Sequence, residues 1–213
     1  MGSLKDPQAV KLSAVFANNE QKRYEIPHYQ RSYVWGKDQI DSLWNDFMHE
    51  AAPGGLNLLG TVIVCESSSD KKMLQIVDGQ QRLISCSLML AALKDTWKEV
   101  SGEAGDFYSY LKQQLYETDP YTGNFSMRLN VGDDIKSSYD NLIYKSIRPF
   151  RITAKDKPVF QAYDTFRERL AEKISSPKLT QQHKEEILKN LHQRLFSVNI
   201  ILIQLEDEAD AYE

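Results

Sequence analysis

The sequence predicts an α+β fold in which a small mixed sheet and one central helix are joined to an α-helical subdomain. Three observations carry that expectation. Residues 58–65 (LLGTVIVC) and 73–77 (MLQIV) are dense in β-branched and apolar side chains and flank a polar stretch, the pattern of an antiparallel hairpin. Residues 80–98 are apolar nearly all round, the signature of a helix at the centre of a domain rather than on its surface. Residues 197–205 (SVNIILIQL) return to β-branched character after a long helical region, and a lone strand has to pair with a sheet that already exists.

Near the N-terminus, Val10, Leu12, Val15 and Phe16 stand among polar residues, which suits a short strand or helix running into a polar turn at Asn18-Asn19-Glu20. In residues 24–35 (YEIPHYQRSYVW) Pro27 bars a continuous helix and pushes Ile26 into extended geometry, so the stretch reads as a strand end followed by an ordered aromatic loop. Between 37 and 49 the apolar residues Ile40, Leu43, Trp44, Phe47 and Met48 recur at i, i+3, i+4, i+7 and i+8, an amphipathic helix that Pro53-Gly54-Gly55 stops. The helix expected from residue 80 is about 28 Å long at 1.5 Å per residue. Further helices are expected over 107–117, 133–147, 157–174 and 180–196, with turn chemistry at Asp119-Pro120, Thr122-Gly123-Asn124, Arg148-Pro149 and Ser176-Pro177 between them. The expected organisation is a sheet domain over 1–100, a helical subdomain over 101–196, and a strand in 197–213 that goes back to the first sheet.

Composition excludes several classes. With 213 residues and 41% hydrophobic content the chain can bury a sizeable core. Its net charge of −4 is uneven, because five acids cluster in 206–213 and the remaining 25 acids face 26 bases. That balance does not predict a strongly basic nucleic-acid surface. Cys65 and Cys86 form no disulfide framework and no zinc or redox spacing, and no apolar run reaches the roughly 20 residues that span a bilayer. A soluble, cytoplasmic protein with no membrane partner is the expectation.

The chemistry concentrates at residues 74–84 (LQIVDGQQRLI), a strand that breaks at Asp78-Gly79 and restarts as a helix. A helix opening at Gln80 leaves its first N–H groups unpaired, and the guanidinium of Arg82 and the amides of Gln80 and Gln81 stand beside them, so a phosphate fits there. Asp78 acts either as a general base or water-positioner, or as the cap of the following helix. The loop before the hairpin supplies a second cation and amide, Arg31 and Gln30, among Tyr29, Tyr33 and Trp35, which are read as packing residues rather than base-stacking ones. His28 is a minor candidate for proton transfer. Among the four histidines, His28, His49, His183 and His192, no ligand spacing is visible, and His192 reads as an ordinary helix residue.

Three elements in order, I-P-x-Y-Q-R-x-Y-x-W at 26–35, G-T-V-I-V at 60–64 and V-D-G-Q-Q-R-L at 77–83, resemble the DGQQR family, domain of unknown function 262, whose N-terminal region is similar to ParB/sulfiredoxin-like nucleotidases and occurs in GmrSD-type restriction systems. The resemblance resumes at 199–213, where the family pattern runs on into an I-F-E-x-x-N-x-x-G segment, so the chain reads as stopping short of it. It implies a nucleoside triphosphatase with Mg2+, in which Asp78, Gln81 and Arg82 are catalytic and Gln30, Arg31, Gly79 and Gln80 bind the nucleotide. It also implies a role in modified-DNA restriction or phage defence, beside a C-terminal nuclease domain or partner subunit, since no nuclease signature lies in this chain. Two rival readings stand beside it. One is a non-hydrolysing nucleotide sensor or interaction module that gates an attached effector. The other is DNA recognition through the first loop and the bases Lys145, Arg148, Arg151, Lys155 and Lys157.

Overall fold

The computed structural model describes residues 6–16, 22–49, 57–67, 70 and 72–205. The expected turn at 18–20, the Pro53-Gly54-Gly55 stop and the acidic C-terminal residues lie outside them.

The fold is α+β. Strands β1 (Gln8–Lys11), β2 (Arg23–Glu25), β3 (Leu58–Glu66), β4 (Met73–Asp78), β7 (Leu129–Asn130) and β8 (Asn199–Leu205) form a six-stranded sheet in the order β1-β8-β3-β4-β2-β7. The expected hairpin is present: β3 and β4 are antiparallel, with an irregularity between Ile63 and Val64. The returning strand pairs parallel to β3 and antiparallel to β1, so the last described element is clamped between two N-terminal ones. Strand β2 runs parallel to both β4 and β7.

The helices are α1 (Leu12–Phe16), α2 (Lys37–Met48), α3 (Gln80–Ser101), α4 (Asp106–Leu115), α5 (Asp133–Asp140), α6 (Lys157–Ile174) and α7 (Gln181–Ser197). In α3, 17 of 22 residues are buried, which makes it the axis on which α4, α6 and α7 pack. A helix enclosed this fully must satisfy its polar side chains inside the protein. Ser85 donates to the Gln81 carbonyl at 2.8 Å, and Thr96 to the Ala92 carbonyl at 2.8 Å. The Tyr139 hydroxyl donates to Ser87 at 2.6 Å, and burial raises the pKa of that phenol. Lys94 donates to the Ile143 carbonyl at 2.6 Å and lies 3.3 Å from Asp95; burial lowers its pKa against the opposing pull of that carboxylate.

Residues 116–130 differ from the helix-and-turn expectation. Strands β5 (Tyr116–Thr118) and β6 (Phe125–Met127) form a separate hairpin, and β7 then joins the main sheet beside β2. The Asp119 carboxylate builds the connection by accepting the N–H groups of Tyr121 and Thr122, both at 2.8 Å, and those bonds depress its pKa. The helix expected over 133–147 is regular only through Asp140 and widens into a π turn, Asn141–Lys145, which ends at Ser146 with φ of 56°. Lys94 draws on the Ile143 carbonyl inside that turn, a tertiary contact that outweighs local helix preference.

Where α7 meets α4, His192 is buried, stacks on Phe196 at 4.4 Å, and pairs its Nε2 with Gln114 Oε1 at 3.0 Å. Burial pushes its pKa down to about 4, so the imidazole is neutral in the folded protein. The unfolded chain takes up the proton near pH 6.5, and stability therefore falls as pH drops from about 6.5 toward 4. Denaturant titrations across that window should show His192 contributing a loss on the order of 3 kcal/mol. In His192→Phe that part of the slope should vanish; identical slopes in the two proteins would show that His192 is not the proton-uptake site.

Candidate functional site

The site is built where β4 hands the chain to α3. Gly79 makes the joint with φ of +91°, a left-handed conformation that side chains disfavour. A Cβ there would come within 2.9 Å of Val62 Cγ2 and 3.0 Å of the Thr61 carbonyl, so close approach to β3 also requires glycine. The first bond from α3 back to the joint runs from the Leu83 N–H to the Gly79 carbonyl at 3.2 Å. The N–H groups of Gln80, Gln81 and Arg82 precede it and face the opening of the helix.

The loop at 27–36 is laced onto this joint by three glutamine amides. Gln30 Nε2 donates to the Val77 carbonyl at 3.0 Å, Gln80 Nε2 to the Arg31 carbonyl at 3.2 Å, and Gln81 Nε2 to the Ser32 carbonyl at 3.1 Å. Gln81 Oε1 in turn accepts the Val34 N–H at 2.8 Å. Beneath them Tyr33 is buried with its hydroxyl 2.7 Å from Ser85 Oγ, and burial raises that phenol's pKa. Outside, the Ser32 hydroxyl bonds to the Asp134 carboxylate at the start of α5.

Arg82 is half-buried and fixed from the other side. Its Nη1 donates to the Thr61 carbonyl at 3.1 Å, and the guanidinium lies over Gly60, where a Cβ would be 2.9 Å from Cζ. Gly60 has φ of +125°, so it is shaped both for its own backbone and for this arginine. Among the described residues neither Arg31 nor Arg82 forms an ion pair with a carboxylate.

Gln30, Arg31, Trp35, Asp78, Gly79, Gln80, Gln81 and Arg82 line one cavity of about 410 Å³. All seven residues singled out in the sequence therefore meet there. Their uses differ from the expected ones in one respect: the amides expected to face a phosphate are engaged with loop backbone, and both amide atoms of Gln81 are occupied. Gln80 Oε1 is buried and accepts no hydrogen bond from a described residue. Arg31 and Asp78 are exposed at the rim. His28 is absent from the lining and sits on the surface, edge-on to Tyr29 at 5.8 Å. Gly60, Thr61 and Ser85 escaped sequence reasoning as supports of the site, although the adjacent Gly60-Thr61 in β3 carried the signal for the first two. Cys65 and Cys86 are buried free thiols, and burial pushes the Cys86 pKa up to about 12, which removes it as a nucleophile.

The sequence carried by this α+β framework places the chain in a class: it is a domain of a restriction or phage-defence protein. Residues 12–213 match the family described as the GmrSD restriction endonuclease, N-terminal domain, and the chain belongs to that family. No match was found among curated proteins. Among the described residues no helix is long and apolar enough to cross a membrane.

Because Gln81 joins helix to loop at two points, Gln81→Leu should leave the Val34 N–H and the Ser32 carbonyl unpaired. The expected cost is about 1–3 kcal/mol in denaturant unfolding, with faster hydrogen exchange at the Val34 amide. Unchanged exchange at Val34 would show that the loop is held by something other than the amides.

Proposed function

We propose that this domain binds a nucleoside triphosphate with its phosphates against the start of α3, and hydrolyses it. The supporting observation is the convergence, in one cavity, of first-turn N–H groups with two arginines that pair with no carboxylate among the described residues. A volume of about 410 Å³ lies within the range of small-ligand pockets. The DGQQR resemblance, with its ParB-like nucleotidase relatives, points the same way.

Each residue then has a physical task. Gly79 lets the phosphates approach the backbone, and Arg82, aimed by Thr61 and Gly60, stabilises charge on the transferred phosphoryl group. Arg31 supplies a second cation from the rim, while Gln30, Gln80 and Gln81 hold its loop in place. Trp35, expected from the sequence only to pack, also lines the cavity and so offers a wall for the base. Among the described residues no cluster of three metal-ligating side chains exists. Mg2+ is nonetheless compatible with the site, because that ion is commonly held by one or two carboxylates together with substrate phosphates; Asp78 is the carboxylate that would hold it, and the ion would neutralise phosphate charge. In the reaction a water oxygen attacks the γ-phosphorus and the bond to the β-phosphate oxygen breaks. The products are nucleoside diphosphate and inorganic phosphate, and the water's proton passes to a phosphate oxygen or to solvent. Turnover would license DNA cleavage by an attached nuclease domain or partner subunit.

A second reading, a nucleotide sensor that binds without turnover, draws support from the full engagement of Gln81. With Gln81 so engaged, Asp78 is left as the catalytic candidate, and it is the one carboxylate among the described residues that line the cavity.

Calorimetry and phosphate release with the four common NTPs and Mg2+ separate these readings. Arg82→Ala and Arg31→Ala should each weaken binding at least tenfold, and since Arg31 is exposed, its variant should keep wild-type stability. Binding without phosphate release selects the sensor. If no NTP binds, or if both variants bind like wild type, the phosphate site is misplaced.

A further inference from the structure

Beyond the nucleotide cavity, we propose that residues 145–157 form a nucleic-acid contact, in which Lys145, Arg151, Lys155 and Lys157 meet phosphates and Phe150 stacks on or between bases. The segment (KSIRPFRITAKDK) joins the π turn to α6 and carries five bases against one acid. That acid, Asp156, is buried and turned inward, accepting the Thr153 hydroxyl at 2.6 Å. Arg148 is committed to Asp164 and lies 5.6 Å above the Phe160 ring. The other four bases are exposed and form no ion pair with a described carboxylate. Between them Phe150 is fully exposed, and Ile147 and Ile152 are 54% and 43% exposed.

The segment is anchored to the core at the end nearer the π turn. Ser146 donates to Asp95 at 2.5 Å, and Asp95 also accepts the Tyr163 hydroxyl at 2.7 Å, tying the near end to α3 and α6. At the other end the segment runs directly into α6, and a bond from the Lys157 N–H to the Thr153 carbonyl at 3.1 Å closes a turn within the segment itself. Ile147, Phe150 and Ile152 are thus exposed together between the π turn and α6, and exposed apolar groups so clustered mark a contact surface.

Charge and spacing select the occupant. An apolar protein groove would have to desolvate the cations standing between Ile147, Phe150 and Ile152. Membrane attachment scales with buried apolar area, and one phenyl ring with two part-exposed isoleucines supplies little of it. Phosphates spaced along a strand and flat bases between them answer both features of the loop at once.

The test is anisotropy of labelled duplex and single-stranded DNA with the whole chain at 50 and 200 mM salt. Neutralising about four phosphates should cost roughly 100-fold in affinity between those conditions, and the double variant Arg151→Ala/Lys155→Ala should reduce that ratio to roughly tenfold. Phe150→Ala should weaken binding by about tenfold with the salt ratio unchanged. Arg82→Ala should leave DNA binding intact, so failure here and failure of the nucleotide site are told apart. Absence of binding at 50 mM salt overturns the proposal. So does indifference to the loop variants, loss of DNA binding in Arg82→Ala, or preference for phosphatidylserine vesicles over DNA.

Discussion

The left-handed turn at Gly79 is the constraint on which the rest of the structure depends. It lets β4 stop against β3 and lets α3 start at once, with no intervening loop to spread the first turn away from the sheet. Because Val62 and Thr61 press on that glycine, the starting residue of α3 is fixed relative to β3. Arg82, two residues further on, consequently falls over Gly60 and reaches the Thr61 carbonyl. A one-residue shift in the helix start would rotate the guanidinium by about 100° and separate it from the cavity.

The same joint explains why α3 can be so deeply enclosed. Its N-terminal polar groups open into the cavity, its middle is closed by serine, threonine and tyrosine hydroxyls, and its Lys94-Asp95 pair is closed by α6 and the π turn. Burial of that pair is costly in itself, since desolvation opposes the charge on Lys94. The energy is offset by hydrogen bonds that also fix where residues 141–146 lie. One buried pair therefore sets the direction in which the following basic segment leaves the core.

Much of this was legible in the sequence because it rests on strong local signals. The β3–β4 hairpin, α2, α6 and the return of β8 all follow from periodicity or β-branched density over at least five residues, and the site residues are gathered by three short motifs. What could not be read rests on long-range contacts. Strands β5, β6 and β7 are two or three residues long, too short to show a period, and β7 exists only because β2 has a free edge. The π turn has helical composition and is widened by Lys94, about fifty positions away. The glutamines are the instructive case: their residue type suggested ligand contact, but an amide can satisfy backbone equally well, and only the position of the 27–36 loop decides between the two.

The consumption of those amides changes what the site's energetics can be. A phosphate bound there, as proposed, would be met by charges and backbone dipoles rather than by side-chain amides, so its affinity would be chiefly electrostatic and would depend on how firmly Arg31 is held. Arg31 sits on a loop fastened by glutamines to α3 and by Ser32 to Asp134, at the head of α5. Helix α5 runs on through the π turn to Ser146, where the basic, apolar segment begins. The cavity and that segment are therefore the two ends of one continuous piece of structure. A ligand at one end affects the other only to the extent that it binds two arrangements of this piece with different affinity.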